Sequence, residues 1–179
     1  VSAAGVLVFT STLPTSSVLF PTAIAVDKNG ASVVGIIAND TGNAGFLANA
    51  DATGVFSKLL QIGVASTTAD AVVRHGDGSF TIAGSSSETL GGKKVAGITD
   101  GILVKVSKAL KITSVVRSSV AKGKRIWNSA SSSLLLAGEV GAAGKTETAV
   151  TKFSSSYVPT WTYRFASIGP AFSASSTQA

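Results

Sequence analysis

A repeated unit constrains the fold of this 179-residue chain more than any other sequence feature. Residues 101–116, GILVKVSKALKITSVV, align without a gap on residues 5–20, GVLVFTSTLPTSSVLF. A third copy begins at Gly45 and a fainter fourth at Thr148, so the unit recurs at intervals of about 40 to 56 residues. Such spacing is typical of propeller blades and solenoid repeats.

Short apolar runs predict that each complete unit contains four antiparallel β-strands. Apolar residues make up 45% of the chain and occur as short runs separated by Ser, Thr and Gly. We expect one domain built from several segments in chain order. These are a half repeat with the last two strands of a blade at 1–20, complete blades at 22–63, 69–119 and 124–165, and a tail or weak edge strand at 166–179.

The apolar strands predict sheets that are covered on both faces. Residues 102–106 and 134–137 are almost continuously apolar, whereas a sheet with one wet face alternates apolar and polar residues. A β-propeller covers both faces and accounts for the repeated unit, and a two-sheet β-sandwich is the alternative. Because about 3.5 blades are too few to close a propeller, we expect open edges completed by self-association or by neighbouring domains.

Two stretches of the first unit carry a resemblance to a known repeat. Residues 23–35, AIAVDKNGASVVG, and residues 45–54, GFLANADATG, resemble the repeat of secreted bacterial and archaeal β-propeller proteins, which are seven-bladed or similar. Residues 76–86 and 100–105 fit the same pattern, but the third unit lacks the Asp-Gly turn. The resemblance covers residues 22–165 and implies a propeller fold and a secreted or cell-surface location. It assigns no site residues.

The composition favours an extracellular protein. The chain contains no cysteine, which excludes disulfides, Cys-ligated zinc and thiol nucleophiles. It also contains no methionine, and both residues are easily oxidised outside the cell. Since no apolar run approaches the 18 residues of a membrane-spanning helix, we predict no membrane span.

A run of basic residues is the clearest candidate binding feature. Residues 105–125 contain seven Lys or Arg and no acid. Such a cluster can bind an anionic glycan or cell-wall polymer, although solvated lysines on an outer strand also simply keep a protein soluble. Apart from Trp127 the region lacks aromatic residues, which argues against binding of single-stranded nucleic acid. The candidate ligand-binding residues are Lys105, Lys111, Arg117, Lys122, Lys124 and Arg125.

No catalytic or metal-binding pattern stands out. His75 is the only histidine, and its position before Gly76-Asp77-Gly78 predicts a turn residue. The remaining candidates for a calcium site or a glycosidase pair are turn acids without a recognisable spacing: Asp27, Asp40, Asp51, Asp77 and Asp100. We therefore expect no cofactor and a non-enzymatic structural, assembly or binding module. A hydrolase or lyase on a propeller scaffold is the remaining alternative.

Overall fold

The computed structural model describes residues 3–7 and 9–167, which form twelve β-strands and no helix. The strands build three four-stranded antiparallel sheets, each with its strands in chain order. The all-β prediction is confirmed, with three complete sheets in the described residues rather than about 3.5 blades. Among these residues there is no helix able to span a membrane.

The first sheet begins with a tight hairpin that the sequence specifies. The Asp27 carboxylate accepts the backbone N–H of Asn29 at 2.8 Å, which closes the turn. Gly30 follows with a φ of 130°, and a Cβ there would lie 2.1 Å from the carbonyl oxygen of Ala50. The strands are β1 (Val18–Asp27), β2 (Gly30–Asn39), β3 (Gly42–Asp51) and β4 (Leu60–Ile62).

The second and third sheets repeat the same meander. The second contains β5 (Thr67–Arg74), β6 (Phe80–Ser86), β7 (Asp100–Val106) and β8 (Ile112–Ser118). The third contains β9 (Gly123–Ala130), β10 (Leu135–Ala142), β11 (Lys145–Phe153) and β12 (Pro159–Ala166).

The three sheets stack in chain order. The strand β5 packs on β1, β2 and β3, and β9 packs on β5, β6 and β7. Ile102 and Val104 lie in the core against the first sheet, whereas Leu103 lies in the core against the third. The continuous apolar run of β7 therefore has the predicted cause, since both its faces are covered. Three stacked four-stranded meanders are consistent with a partial propeller and with a sandwich-like fold.

The predicted half repeat at residues 1–20 does not form two strands. Described residues 3–7 and 9–17 lie outside all strands, and residues 18–20 are the beginning of β1. Pro21 does not separate two units, because a bulge between Pro21 and Ala23 lets β1 continue. Proline is tolerated there since β1 is an edge strand and can dispense with one ladder N–H. Of the predicted tail or weak edge strand at 166–179, Ala166 ends the strand β12, and residues 168–179 lie outside the described residues.

The fourth strand of the first unit is also shorter than predicted. The pattern predicts a strand over 55–62, but β4 contains only Leu60–Ile62, and Phe56 forms no more than an isolated bridge with Ala50. The Asp51 carboxylate accepts the N–H groups of Thr53 and Val55 at 2.8 and 3.1 Å, which turns the chain back. Phe56 then packs on the apolar face of the first sheet instead of extending β4.

Candidate functional site

The six predicted ligand-binding residues do not form one patch. Lys105, near the end of β7, and Lys111, in the turn to β8, lie at one end of the second sheet. Lys122 and Lys124 lie at the opposite end, where the chain crosses to the third sheet. All four lysines are exposed.

Arg117 is engaged within the protein. Its Nη1 lies 3.3 Å from Oδ2 of Asp100, and both side chains are almost wholly buried. The guanidinium also donates to the carbonyl oxygens of Ser86 and Glu88. Arg117 therefore holds the end of β8 on the loop before β7, and its charge is already neutralised by a buried acid.

Asp100 is a buried ion-pair partner rather than a free turn acid. Burial alone raises the pKa of its carboxyl, but the donors around it outweigh burial and lower the pKa overall. The backbone N–H groups of Ala96 and Gly97 each donate at 2.9 Å, and Ser119 and Arg117 add to them. The Asp100 carboxylate therefore has a structural role, because its hydrogen bonds and its ion pair all lie within the fold.

Arg125 differs from Arg117 because no acid pairs with it in the described part of the chain. It is only 5% exposed, and its guanidinium lies flat over the ring of Trp127 at 3.7 Å. Its Nη2 donates to the hydroxyl of Thr151 at 2.9 Å, and its Nε is buried without a hydrogen-bond partner. Burial, together with the positive charge of Arg164, lowers the pKa of Arg125 to about 10.

Arg125 and Arg164 line one cavity of about 530 Å³ between β8 and the third sheet. Trp127 pairs with Gly138, Gly138 with Ala149, and Ala149 with Arg164, so these four residues form one row across the sheet. Gly138 and Ala149 are small, so they leave space between the large side chains of Trp127 and Arg164 at the two ends of the row. The cavity therefore results from the pairing register of the third sheet.

Arg164 is the residue of this cavity that the sequence analysis missed. Its Nη1 lies 3.6 Å from Oε2 of Glu147, and both side chains are about half exposed. Along β12 the aromatic residues at 161, 163 and 165 alternate with Thr162 and Arg164. This alternation in the sequence predicts that Arg164 and the aromatic residues lie on opposite faces of the sheet, and it is the pattern that could have identified Arg164.

The aromatic residues of β12 form an exposed surface on the outer face of the third sheet. Trp161, Tyr163 and Phe165 are between 45% and 65% exposed. Trp161 and Tyr163 contact each other edge to face, with ring centroids 5.6 Å apart. Val150, the cross-strand partner of Tyr163, lies on the same face. Its neighbour Ala149 lies in the row of Trp127, which packs on the second sheet, so the face of Val150 points away from that sheet. We call this surface the aromatic face.

The outer face of the first sheet is covered in part by the chain itself, because Leu13, Phe56 and Leu59 pack on a third core there, but its β1 edge is exposed and apolar. Ala23 and Ala25 of β1 pack toward the second sheet, so Ile24 and Val26 point the other way, and they are 65% and 70% exposed. Beside Val26 lies a mainly apolar groove of about 340 Å³. We call it the outer groove, and its apolar lining consists of Phe9, Val26, Ala31, Ala50, Ala52 and Phe56.

His75 occupies the start of the β5–β6 turn, where its backbone N–H donates to Ser79 at 2.9 Å. Its ring Nε2 lies 2.7 Å from the hydroxyl of Thr81, which in turn contacts the Tyr157 hydroxyl of the third sheet. Burial lowers the pKa of His75. Within the described ranges, no three His, Cys, Asp or Glu residues are grouped so that they could hold a metal ion.

No protein-family model matches this chain, and a comparison with curated proteins found no match. The resemblance of residues 22–165 to secreted propeller repeats therefore stays a prediction from the sequence.

Proposed function

We propose that this chain is a non-enzymatic structural module that assembles head to tail, with the aromatic face of one copy packed on the outer groove of the next. One observation carries the proposal: both terminal sheets of the stack expose apolar side chains on the faces that point away from their neighbours. In the middle of the stack the corresponding faces are covered by the adjacent sheet. An added copy would cover the aromatic face and the part of the first sheet's outer face that Leu13, Phe56 and Leu59 leave exposed.

The two terminal faces complement each other in shape and charge. The aromatic face projects large side chains, whereas the outer groove is a recess with a mainly apolar lining. Residues 18–62 contain two Lys and three Asp, a net charge of −1, and residues 123–166 contain five Lys or Arg and two Glu, a net charge of +3. Opposite net charges favour contact between unlike ends over contact between like ends.

Head-to-tail contact also permits closure. Each copy contributes three sheets, so a ring of two copies would contain six, which lies within the range of four to eight blades of known propellers. Such a ring leaves no terminal face open, whereas a rotation that does not close would produce a filament. We favour the two-copy ring because it covers every exposed apolar face with the fewest chains.

The proposal includes an extracellular or cell-surface location. The absence of Cys and Met and the resemblance to secreted propeller repeats support it. Antibody labelling of intact source cells tests this part, since an extracellular protein is labelled without permeabilisation. Labelling that requires permeabilised cells would contradict it.

Light scattering after size-exclusion chromatography tests the assembly. We expect the wild-type chain to have twice the 17.8 kDa mass of one copy at micromolar concentration. Replacing Tyr163 and Phe165 together by Ser should weaken assembly by about tenfold or more, because aromatic side chains dominate the energetics of most interfaces. The chain should then elute as a monomer with an unchanged β-sheet circular dichroism spectrum.

The matched control replaces two exposed apolar residues outside both terminal faces, Val64 and Ile98, by Ser. We expect this variant to assemble like the wild type. A wild-type monomer at high concentration, or equal loss of assembly in the control, would refute the proposal. A monomeric wild type would point instead to neighbouring sheets in a longer protein as the covering partner.

A further inference from the structure

We infer that the cavity between β8 and the third sheet binds the carboxylate of a small acidic sugar, such as a uronic acid. This inference is independent of assembly, since the cavity lies on the inner side of the third sheet and the aromatic face lies on its outer side. It rests on three features: a buried arginine without an acid, the geometry of its guanidinium, and the lining of the remaining space.

Three arginines of the described chain have largely buried side chains, and two of them meet an acid. Arg74 lies 3.0 Å from the carboxylate of Asp27, and Arg117 lies 3.3 Å from that of Asp100. Arg125 is buried to a similar degree and has no such partner within the described residues. Because burial of a cation is costly unless it is paired, an anion supplied from outside is the natural complement of Arg125.

The guanidinium of Arg125 is held ready for a planar oxyanion. Stacking on Trp127 fixes its plane, and the hydrogen bond to Thr151 fixes its rotation in that plane. A guanidinium donates two parallel hydrogen bonds to a carboxylate when its orientation is fixed. Arg164 adds a second cation from β12, and its ion pair with Glu147 is long and about half exposed, so a ligand carboxylate can compete for its guanidinium.

The rest of the cavity suits a polyhydroxylated ring. Its volume of about 530 Å³ is far larger than a carboxylate needs and lies in the range of small-molecule pockets. Ser118 and Thr162 contribute polar lining, while Val116 and Pro159 contribute apolar surface. This mixture of polar and apolar lining fits the hydroxyl and C–H faces of a sugar.

Isothermal titration calorimetry tests the inference with glucuronate as the probe and glucose as its neutral counterpart. We expect saturable binding of glucuronate and at least about tenfold weaker binding of glucose, because charge-assisted hydrogen bonds are the stronger ones. The variants Arg125→Gln and Arg164→Gln should each weaken glucuronate binding by about 10- to 100-fold. Lys111→Gln, which removes an exposed positive charge at the far end of the second sheet, should leave binding unchanged.

Several outcomes would overturn the inference. Glucose bound as tightly as glucuronate would show that the carboxylate is not recognised. Inorganic sulfate bound as tightly as glucuronate would show that the cavity does not prefer a planar carboxylate carried by a sugar. Loss of binding in Lys111→Gln equal to that in Arg164→Gln would show general attraction to a basic protein. If Arg125→Gln does not fold, Arg164→Gln decides the question, since Arg164 is half exposed on an edge strand.

Discussion

Asp100 and Arg117 form a buried ion pair that joins the two ends of the β7–β8 hairpin. The folded protein lowers the pKa of the Asp100 carboxyl below its ordinary value of 3.8. A group with a lowered pKa stabilises the fold above its unfolded pKa, and this contribution is lost as the pH falls through the lower, folded pKa. The contribution of Asp100 is thus fully present at neutral pH and is lost in acid below pH 3.8.

We predict that Asp100→Asn lowers the free energy of unfolding at pH 7 by about 3 kcal/mol or more, because it leaves Arg117 buried without its counter-charge. Urea unfolding at pH 7 measures this loss. The exposed Asp40 provides the control, since Asp40→Asn should change stability by less than about 0.5 kcal/mol. The difference in the free energy of unfolding between wild type and Asp100→Asn should become smaller as the pH falls below 3.8. A difference that does not change with pH would contradict this account.

The packing of β7 on β9 depends on a residue without a side chain. A Cβ on Gly101 would lie 2.6 Å from Nε1 of Trp127 and 2.9 Å from Cγ of Arg125. Gly101 therefore allows the indole that supports Arg125 to approach the second sheet closely. Gly101, the first residue of the repeated unit at 101–116, is therefore a contact position between the second and third sheets.

We predict that Gly101→Ala destabilises the protein by about 1 to 3 kcal/mol, the usual cost of overpacking. It should also weaken glucuronate binding, because Trp127 and Arg125 must shift. Gly76→Ala is the matched control, since a Cβ at Gly76 meets no atom within 4 Å. Thermal unfolding of both variants checks the prediction, and equal stability of the two would contradict the packing argument.

The elements were largely predictable from local sequence, whereas the cavity was not. Turn residues such as those at 27–30 and 76–78 fix where the chain reverses, and apolar runs between them fix the strands. The errors at 1–20 and 55–59 have one cause, which is that a strand needs a continuous partner. Residues 9–17 pair with no strand, and Phe56 forms only a single bridge, although Leu13, Phe56 and Leu59 pack on the first sheet. Arg164 escaped notice because its proximity to Arg125 is set by pairing across the whole third sheet.

At the scale of the whole molecule, the stack is covered in its interior and open at both ends. The inner faces of the three sheets bury the two main cores, while Ile24 at one end and Tyr163 at the other remain exposed. Large exposed apolar surfaces mark interaction sites in soluble proteins. The central claim is that these two unlike ends bind each other between copies.

Disulfide cross-linking tests this claim directly, because a chain without cysteine reports only on cysteines that are introduced. The variants Ile24→Cys and Tyr163→Cys, distinguished by a mass tag, are mixed in equal amounts and mildly oxidised. Head-to-tail assembly predicts that disulfides form mainly between the two different variants. Disulfides only between identical variants, or no cross-linked dimer at all, would contradict the proposed assembly.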